Sequence, residues 1–243
     1  MARPPDLHAE LVDEDDPAIG SELIRVRHDD GRTEELHLHD YERLYALPGV
    51  YEQIVQERLG CRSPQQVAAL LGETVDELGW ARRSMRVIDI AAGNGISGEA
   101  LATEELRPVL GSDIVPAARE AALRDRPGLY DEYLTLDLLA LSTGDRTHIR
   151  ALHANVLSCV APVGAHAVPP PALAAAAALL APEALVAYLH DVDIVDIDPV
   201  TAEVWRSIGA NGEEVARRRY VHRRTVSGAP YHMEAVVWRL RLA

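Results

Sequence analysis

The sequence predicts an α/β domain built on a doubly wound, mostly parallel sheet, and three observations carry that reading. A short apolar run, Met85 to Ile90, empties into a glycine-rich turn. Apolar runs and helical stretches then alternate along the chain. Acidic residues close three successive runs, at Asp89, Asp113 and Asp137.

Residues 1–20, rich in Asp, Glu and Pro, read as an acidic flexible tail. Glu22 to Leu38 alternates polar and apolar residues around Asp30-Gly31, the signal of a small β-hairpin. Tyr41, Leu44, Tyr45, Tyr51, Ile54 and Val55 recur at helical spacing, interrupted by Pro48-Gly49, which gives two short helices. Residues 21–62 are therefore expected to form an N-terminal cap of hairpin and helices, and residues 63–243 the main domain.

That domain opens on Ser63-Pro64, a helix start with Ser as N-cap and Pro in the first turn, and the helix should run to about Arg83. Met85 to Ile90 is short, apolar and bounded by a turn, as a buried parallel strand is. Beyond it the pattern reads Gly98 to Glu105 helix, Pro108 to Ser112 strand, Pro116 to Arg126 helix, then Tyr133 to Leu136 and Ala154 to Val160 strands. Pro171 to Leu180 is Ala-rich and strongly helical, and Ala184 to His190 is the next strand. Tyr220 to Val226 and Tyr231 to Leu242 flank Ser227-Gly228-Ala229-Pro230, a terminal antiparallel hairpin.

Composition narrows the function. The 243 residues suit one domain with an elaboration, and no stretch is apolar for long enough to span a bilayer. The start of the chain lacks the basic-then-apolar order of a secretory signal, so a cytoplasmic protein is expected, with no membrane partner. A net charge of −14 works against a nucleic acid partner, because phosphate binding needs clustered positive charge. All 24 Lys+Arg residues are Arg. Without Lys there is no P-loop, no lysine Schiff base and no Tyr-x-x-x-Lys pair. Cys61 and Cys159 read as free thiols, and no Cys/His spacing marks a metal site.

The chemistry centres on Val87-Ile88-Asp89-Ile90-Ala91-Ala92-Gly93-Asn94-Gly95-Ile96-Ser97-Gly98, a strand turning through glycines into a helix. Gly93 and Gly95 let the backbone approach a ligand, and the helix N-terminus offers free N–H groups, so the turn suits a nucleotide-like ligand. Dinucleotide-binding folds share this spacing, and a nicotinamide-dependent oxidoreductase remains an alternative. Asp89 should sit under the turn. Asp113, about 20 residues on, ends a strand where a carboxylate accepts ribose hydroxyls. Asp137-Leu138 ends the third strand, on the adenine side.

With these residues in place, the chain resembles the class I S-adenosylmethionine (SAM) dependent methyltransferases over about residues 63–190. Residues 86–98 resemble the family's first motif, with Ala91 where its first glycine is commonest. GSDIVPAAREAA resembles the second, and RPGLYDEYLTLDLLAL is similar to the stretch around the adenine-side acid in the Williams–Beuren-type branch. Asn155 stands where the family often has an acid. The resemblance implies a seven-stranded Rossmann-like sheet with a reversed last strand, SAM as cofactor and S-adenosylhomocysteine (SAH) as product. It implies cofactor contacts from Asp89, Ala91, Gly93, Asn94, Gly95, Asp113, Ile114, Asp137 and Leu138. On the acceptor side it implies His166 and His190 as candidate bases, with Tyr41, Tyr45, Tyr51 and Asp191 around a small-molecule acceptor. A protein of this fold without methyl transfer, such as a cyclase or partner subunit, is the other alternative. The hairpin at residues 22–38 offers an edge through which two copies could pair as a homodimer.

Overall fold

The N-terminal elaboration is a small antiparallel sheet with two helical turns packed on it. Its strands are β1 (His8–Leu11), β2 (Leu23–Arg27) and β3 (Thr33–His37), in that spatial order. The computed structural model in which they are seen describes residues 7–13, 15–164, 167–192 and 197–242. Ile24 and Val26 of β2 face inward and are fully buried, as the alternation requires. Residues 8–11, expected in a flexible tail, instead pair with β2, and the Gln53 amide brackets them by accepting from Ala9 N–H and donating to the Leu7 carbonyl. The tail reading failed because four alternating residues are too short a signal beside an acidic run.

Helix α1 (Tyr41–Ala46) and a π-helical turn, Glu52–Arg58, complete the cap, separated at Gly49, whose φ of +74° suits a residue without a side chain. The chain then enters α2 (Ser63–Glu77), where Arg62 rather than Ser63 is the capping position. The Ser63 hydroxyl is used elsewhere, on Tyr220 and His222. The helix stops short of Arg83 because Gly79 turns the chain with φ +70°.

The main sheet contains β4 (Arg86–Ile90), β5 (Arg107–Asp113), β6 (Glu132–Thr135), β7 (Val156–Pro162), β8 (Glu183–Asp191), β9 (Asn211–Arg224) and β10 (Pro230–Arg241). Their order is β6-β5-β4-β7-β8-β10-β9, parallel throughout except for β10, antiparallel to both neighbours. The helices are α3 (Ile96–Thr103), α4 (Pro116–Asp125), α5 (Thr143–Ala151), α6 (Pro170–Ala177) and α7 (Ile197–Ser207). Residues of α2 and α3 share one core with Val87, Leu185 and Val237, whereas α5, α6 and α7 share the opposite one with Ile88, Val186 and Trp238. This two-faced burial is why the strands read as apolar runs rather than alternations.

Chain order reverses between β4 and β7: β5 and β6 extend one way, β7 and β8 the other. In an open α/β sheet the crevice at the carboxyl ends of strands beside such a reversal is where ligands bind. The glycine turn after β4 sits there. Among the described residues no helix is long and apolar enough to cross a membrane.

Candidate functional site

Strand β4 ends at Ile90, and the next residue, Ala91, adopts φ +50°, a left-handed conformation that costs a residue with a side chain about 1 kcal/mol. Gly93 and Gly95 follow with φ +54° and +90°, and α3 starts at Ile96. The second glycine is therefore the residue that hands the turn to the helix.

Asp113, at the end of β5, locks this turn to the neighbouring strand. Gly93 N–H donates to its Oδ2 at 2.9 Å and Val115 N–H to its Oδ1 at 3.0 Å. A carboxylate has about four acceptor sites, so two remain. No basic side chain pairs with it among the described residues, and burial pushes its carboxyl above the ordinary value against the pull of those backbone donors. Beside it Ile114 is 65 % exposed, a large apolar side chain at a strand end with nothing over it among the described residues.

Asp89 plays a different part. It is fully buried beneath the turn, and its Oδ2 accepts from the Ser97 hydroxyl at 2.6 Å and the Tyr130 hydroxyl at 2.8 Å. The hydroxyl of Ser158, the residue directly across from it in β7, is a third polar group beside this carboxylate. Burial raises the Asp89 carboxyl to about 6, the Ser97, Tyr130 and Ser158 hydroxyls opposing. Asp89 thus braces the turn from below. Tyr133 braces it from the side, donating to the Gly93 carbonyl at 2.7 Å.

Asp137 and Leu138 follow β6, the strand next to β5. The Asp137 carboxylate closes its own local turn on Leu139 N–H at 2.9 Å, while Leu138 packs on the core and Leu139 is 58 % exposed. So Asp89, Ala91, Gly93, Asn94, Gly95, Asp113 and Ile114 come together around one turn, and Asp137 with Leu138 stands at the adjoining strand end. Asn155 lies before β7, at the opposite edge of the sheet, where its Oδ1 accepts from Arg86 N–H at 2.8 Å. An acid there would face away from the crevice.

The cap tyrosines divide the expected acceptor-side group. Tyr45 stacks between Tyr41 and Tyr51, with ring centroids 5.6 and 5.3 Å away, and packs on Ala117, Ala118 and Ala121 of α4. Its hydroxyl lies so close over Gly93 that a Cβ there would be 2.4 Å from it. Tyr45 therefore touches the glycine turn. Tyr41 lies in the fields of both Asp113 and Arg223, and burial pushes its hydroxyl up to about 12.

On the other side of the crevice, Asp191 ends β8 and accepts a hydrogen bond from Tyr231 in β10. His190, 6 % exposed, has its Nδ1 3.3 Å from the Asp191 carbonyl, while its buried Nε2 makes no hydrogen bond among the described residues although the Glu234 carboxylate is 3.3 Å away. His166 lies outside the described residues.

Sequence reasoning missed Ser97, Tyr130 and Tyr133 as supports of the turn. It also missed the ion pair between Glu22 of the cap and Arg223 of β9, with side chains only 1 % and 4 % exposed. No local pattern announces a partner 201 residues away.

No family model matches the sequence, and no curated protein does. Solved structures do. The CurJ carbon methyltransferase matches with a TM-score of 0.56 at 13% identity, over 85% of this chain and 62% of that one. A putative RNA methyltransferase from Pyrococcus horikoshii matches with a TM-score of 0.53 at 14% identity, over 75% of this chain and 85% of that one. A Thermoplasma acidophilum protein matches with a TM-score of 0.50 at 17% identity, over 73% and 85%. At such identities the likeness is one of fold.

Proposed function

We propose that this chain, whose fold is that of the class I SAM-dependent methyltransferases, binds SAM at the carboxyl ends of β4, β5 and β6 and transfers its methyl group to a small-molecule acceptor, leaving SAH. The observation that carries the reading is Asp113. It is a half-buried carboxylate fixed by two backbone N–H groups, with acceptor sites to spare and no cation paired to it, beside the uncovered Ile114. A ligand with vicinal hydroxyls and an apolar ring system fits that pair. A dinucleotide would fit it too, but the chain has no Lys for a Tyr-x-x-x-Lys reductase site, and its sheet ends in the reversed hairpin β9–β10.

When bound, SAM supplies an electrophilic methyl group on a sulfonium. The protein's own work is then to hold, align and keep dry. Ala91 to Gly95 and Asp113 fix the cofactor side; the cap and the ends of β8 and β10 wall the acceptor side. His190, whose buried Nε2 makes no hydrogen bond, is the candidate base among the described residues, and Asp191, with Tyr231 bound to it, is the acceptor-facing polar group of that wall. The net charge of −14 favours a small acceptor over RNA.

Calorimetric titration with SAM, SAH and NAD tests the reading. Micromolar binding of SAM and SAH without NAD supports it, and NAD binding alone would replace it with the oxidoreductase reading. Formation of SAH from SAM with a mixture of phenols, amines and carboxylic acids separates a methyltransferase from a SAM-binding protein that transfers no methyl group.

A further inference from the structure

The glycine turn is closed over by the chain itself. Ala92, Asn94 and the two glycines are buried, Asn94 to 3 % exposure. What covers them is the cap. The Tyr45 hydroxyl lies over Gly93, and Glu52, the first residue of the π-helical turn, accepts from Asn94 Nδ2 at 2.8 Å and from Arg126 at 3.0 Å. The same cap reaches the far edge of the sheet: Glu22 pairs with Arg223, Arg224 N–H donates to the Leu59 carbonyl at 2.7 Å, and Ser227 N–H to Asp16 at 2.7 Å. One element thus bridges the carboxyl ends from the glycine turn to the β9–β10 turn.

The two anchors differ in kind. The far anchor includes a buried ion pair and main-chain hydrogen bonds. The near anchor is held through side chains: Glu52, part-exposed, on Asn94 and Arg126; Arg124, donating to the Tyr45 carbonyl at 3.2 Å; and the Tyr45 ring, packed over Gly93 and the alanines of α4. Between them stand Pro48-Gly49, with Gly49 already at φ +74°, and a π-helical turn, a rare geometry often found at functional sites. An opening would therefore start at the glycine turn.

We propose that residues 41–58 form a lid latched on the glycine turn by Glu52 and Tyr45, which lifts to admit the cofactor's nucleoside and reseats beside it. The inference rests on the cofactor reading above. Cofactor entry then waits on breaking the Glu52 bonds, so the latch sets the association rate.

The test is stopped-flow and calorimetric binding of SAH to the full chain, with Glu52→Ala and, as a milder variant, Tyr45→Phe, which removes the hydroxyl that lies over Gly93 and contacts Tyr51. Hydrogen exchange across 41–58 is followed with and without SAH. The expected result is association about tenfold faster in Glu52→Ala, the scale of one lost hydrogen bond to a charged group. Tyr45→Phe should shift it in the same direction, and exchange in 41–58 should change on binding. SAH binding at one unchanged rate in all three proteins, with exchange in 41–58 unaffected, overturns the lid and leaves the cofactor reading standing. Binding to the variants but not to the parent supports the lid. No binding to any of them overturns the cofactor reading and the lid with it.

Discussion

The main-chain N–H of Gly93 donates to the side-chain carboxylate of Asp113 at 2.9 Å, tying the turn after β4 to the end of β5. Gly93 holds φ +54° with the Tyr45 hydroxyl over it, so a methyl group there is strained twice, in its backbone and against that hydroxyl. Gly93→Ala should cost about 2–4 kcal/mol, combining a left-handed alanine with an overpacked contact. Adding Tyr45→Phe should recover part of it. Urea unfolding of the single and double variants checks this, and a Gly93→Ala protein as stable as the parent counts against the contact.

Ala91 offers the opposite case. Its φ of +50° is one that glycine adopts freely, so Ala91→Gly relieves strain while making the unfolded chain more flexible. The balance should leave the variant as stable as the parent or more so, by up to about 1 kcal/mol. A clear loss of thermal stability would mean that the Ala91 methyl group packs against the core by more than its strain costs.

Asp89 makes stability depend on pH. Its folded-state value of about 6 lies above the ordinary 3.8, so the folded protein holds the proton more tightly than the unfolded chain does. That contribution is complete below about pH 4, falls as the pH rises through 6 and is lost above it, a span of about 3 kcal/mol. Asp89→Asn cannot ionise. The parent should lose stability relative to this variant between pH 4.5 and 7.5, measured by urea unfolding at about six pH values. A constant difference across the range would show that Asp89 ionises in the fold as it does in water.

The Glu22–Arg223 pair is buried on both sides, so removing one partner strands a charge. Glu22→Ala alone should cost about 3–5 kcal/mol, while Glu22→Leu with Arg223→Met should cost much less. Chemical denaturation of both decides whether this pair holds the cap down or only decorates it.

The fold was legible because its signals are local. An apolar run before glycines, Pro116 opening a helix, and Ser227-Gly228 between two strands each work within a few residues. α5 escaped notice because Ile149 is its one buried residue, although Ser142 and Asp145 form a capping box that marks its start. β9 runs from Asn211, far earlier than Tyr220, because an edge strand carries charges such as Arg217 and Arg219 that mask its alternation. In the site, Asp113 and the turn were readable from spacing, which fixes where strand ends fall. The support of Asp89 by Tyr130, 41 residues away, and the seating of Tyr45 on Gly93 were not, since tertiary packing alone creates them.

The measurement that bears most directly on the central claim is SAH binding by calorimetry to the parent and to Asp113→Ala, with thermal unfolding of both. Binding in the micromolar range that weakens in the variant by about 2 kcal/mol, the scale of a lost hydrogen bond to a charged group, is the predicted result, in a variant that remains folded. A parent that gives no heat with SAH, or a folded variant that binds it as tightly, would contradict the claim that Asp113 and the glycine turn form the cofactor site.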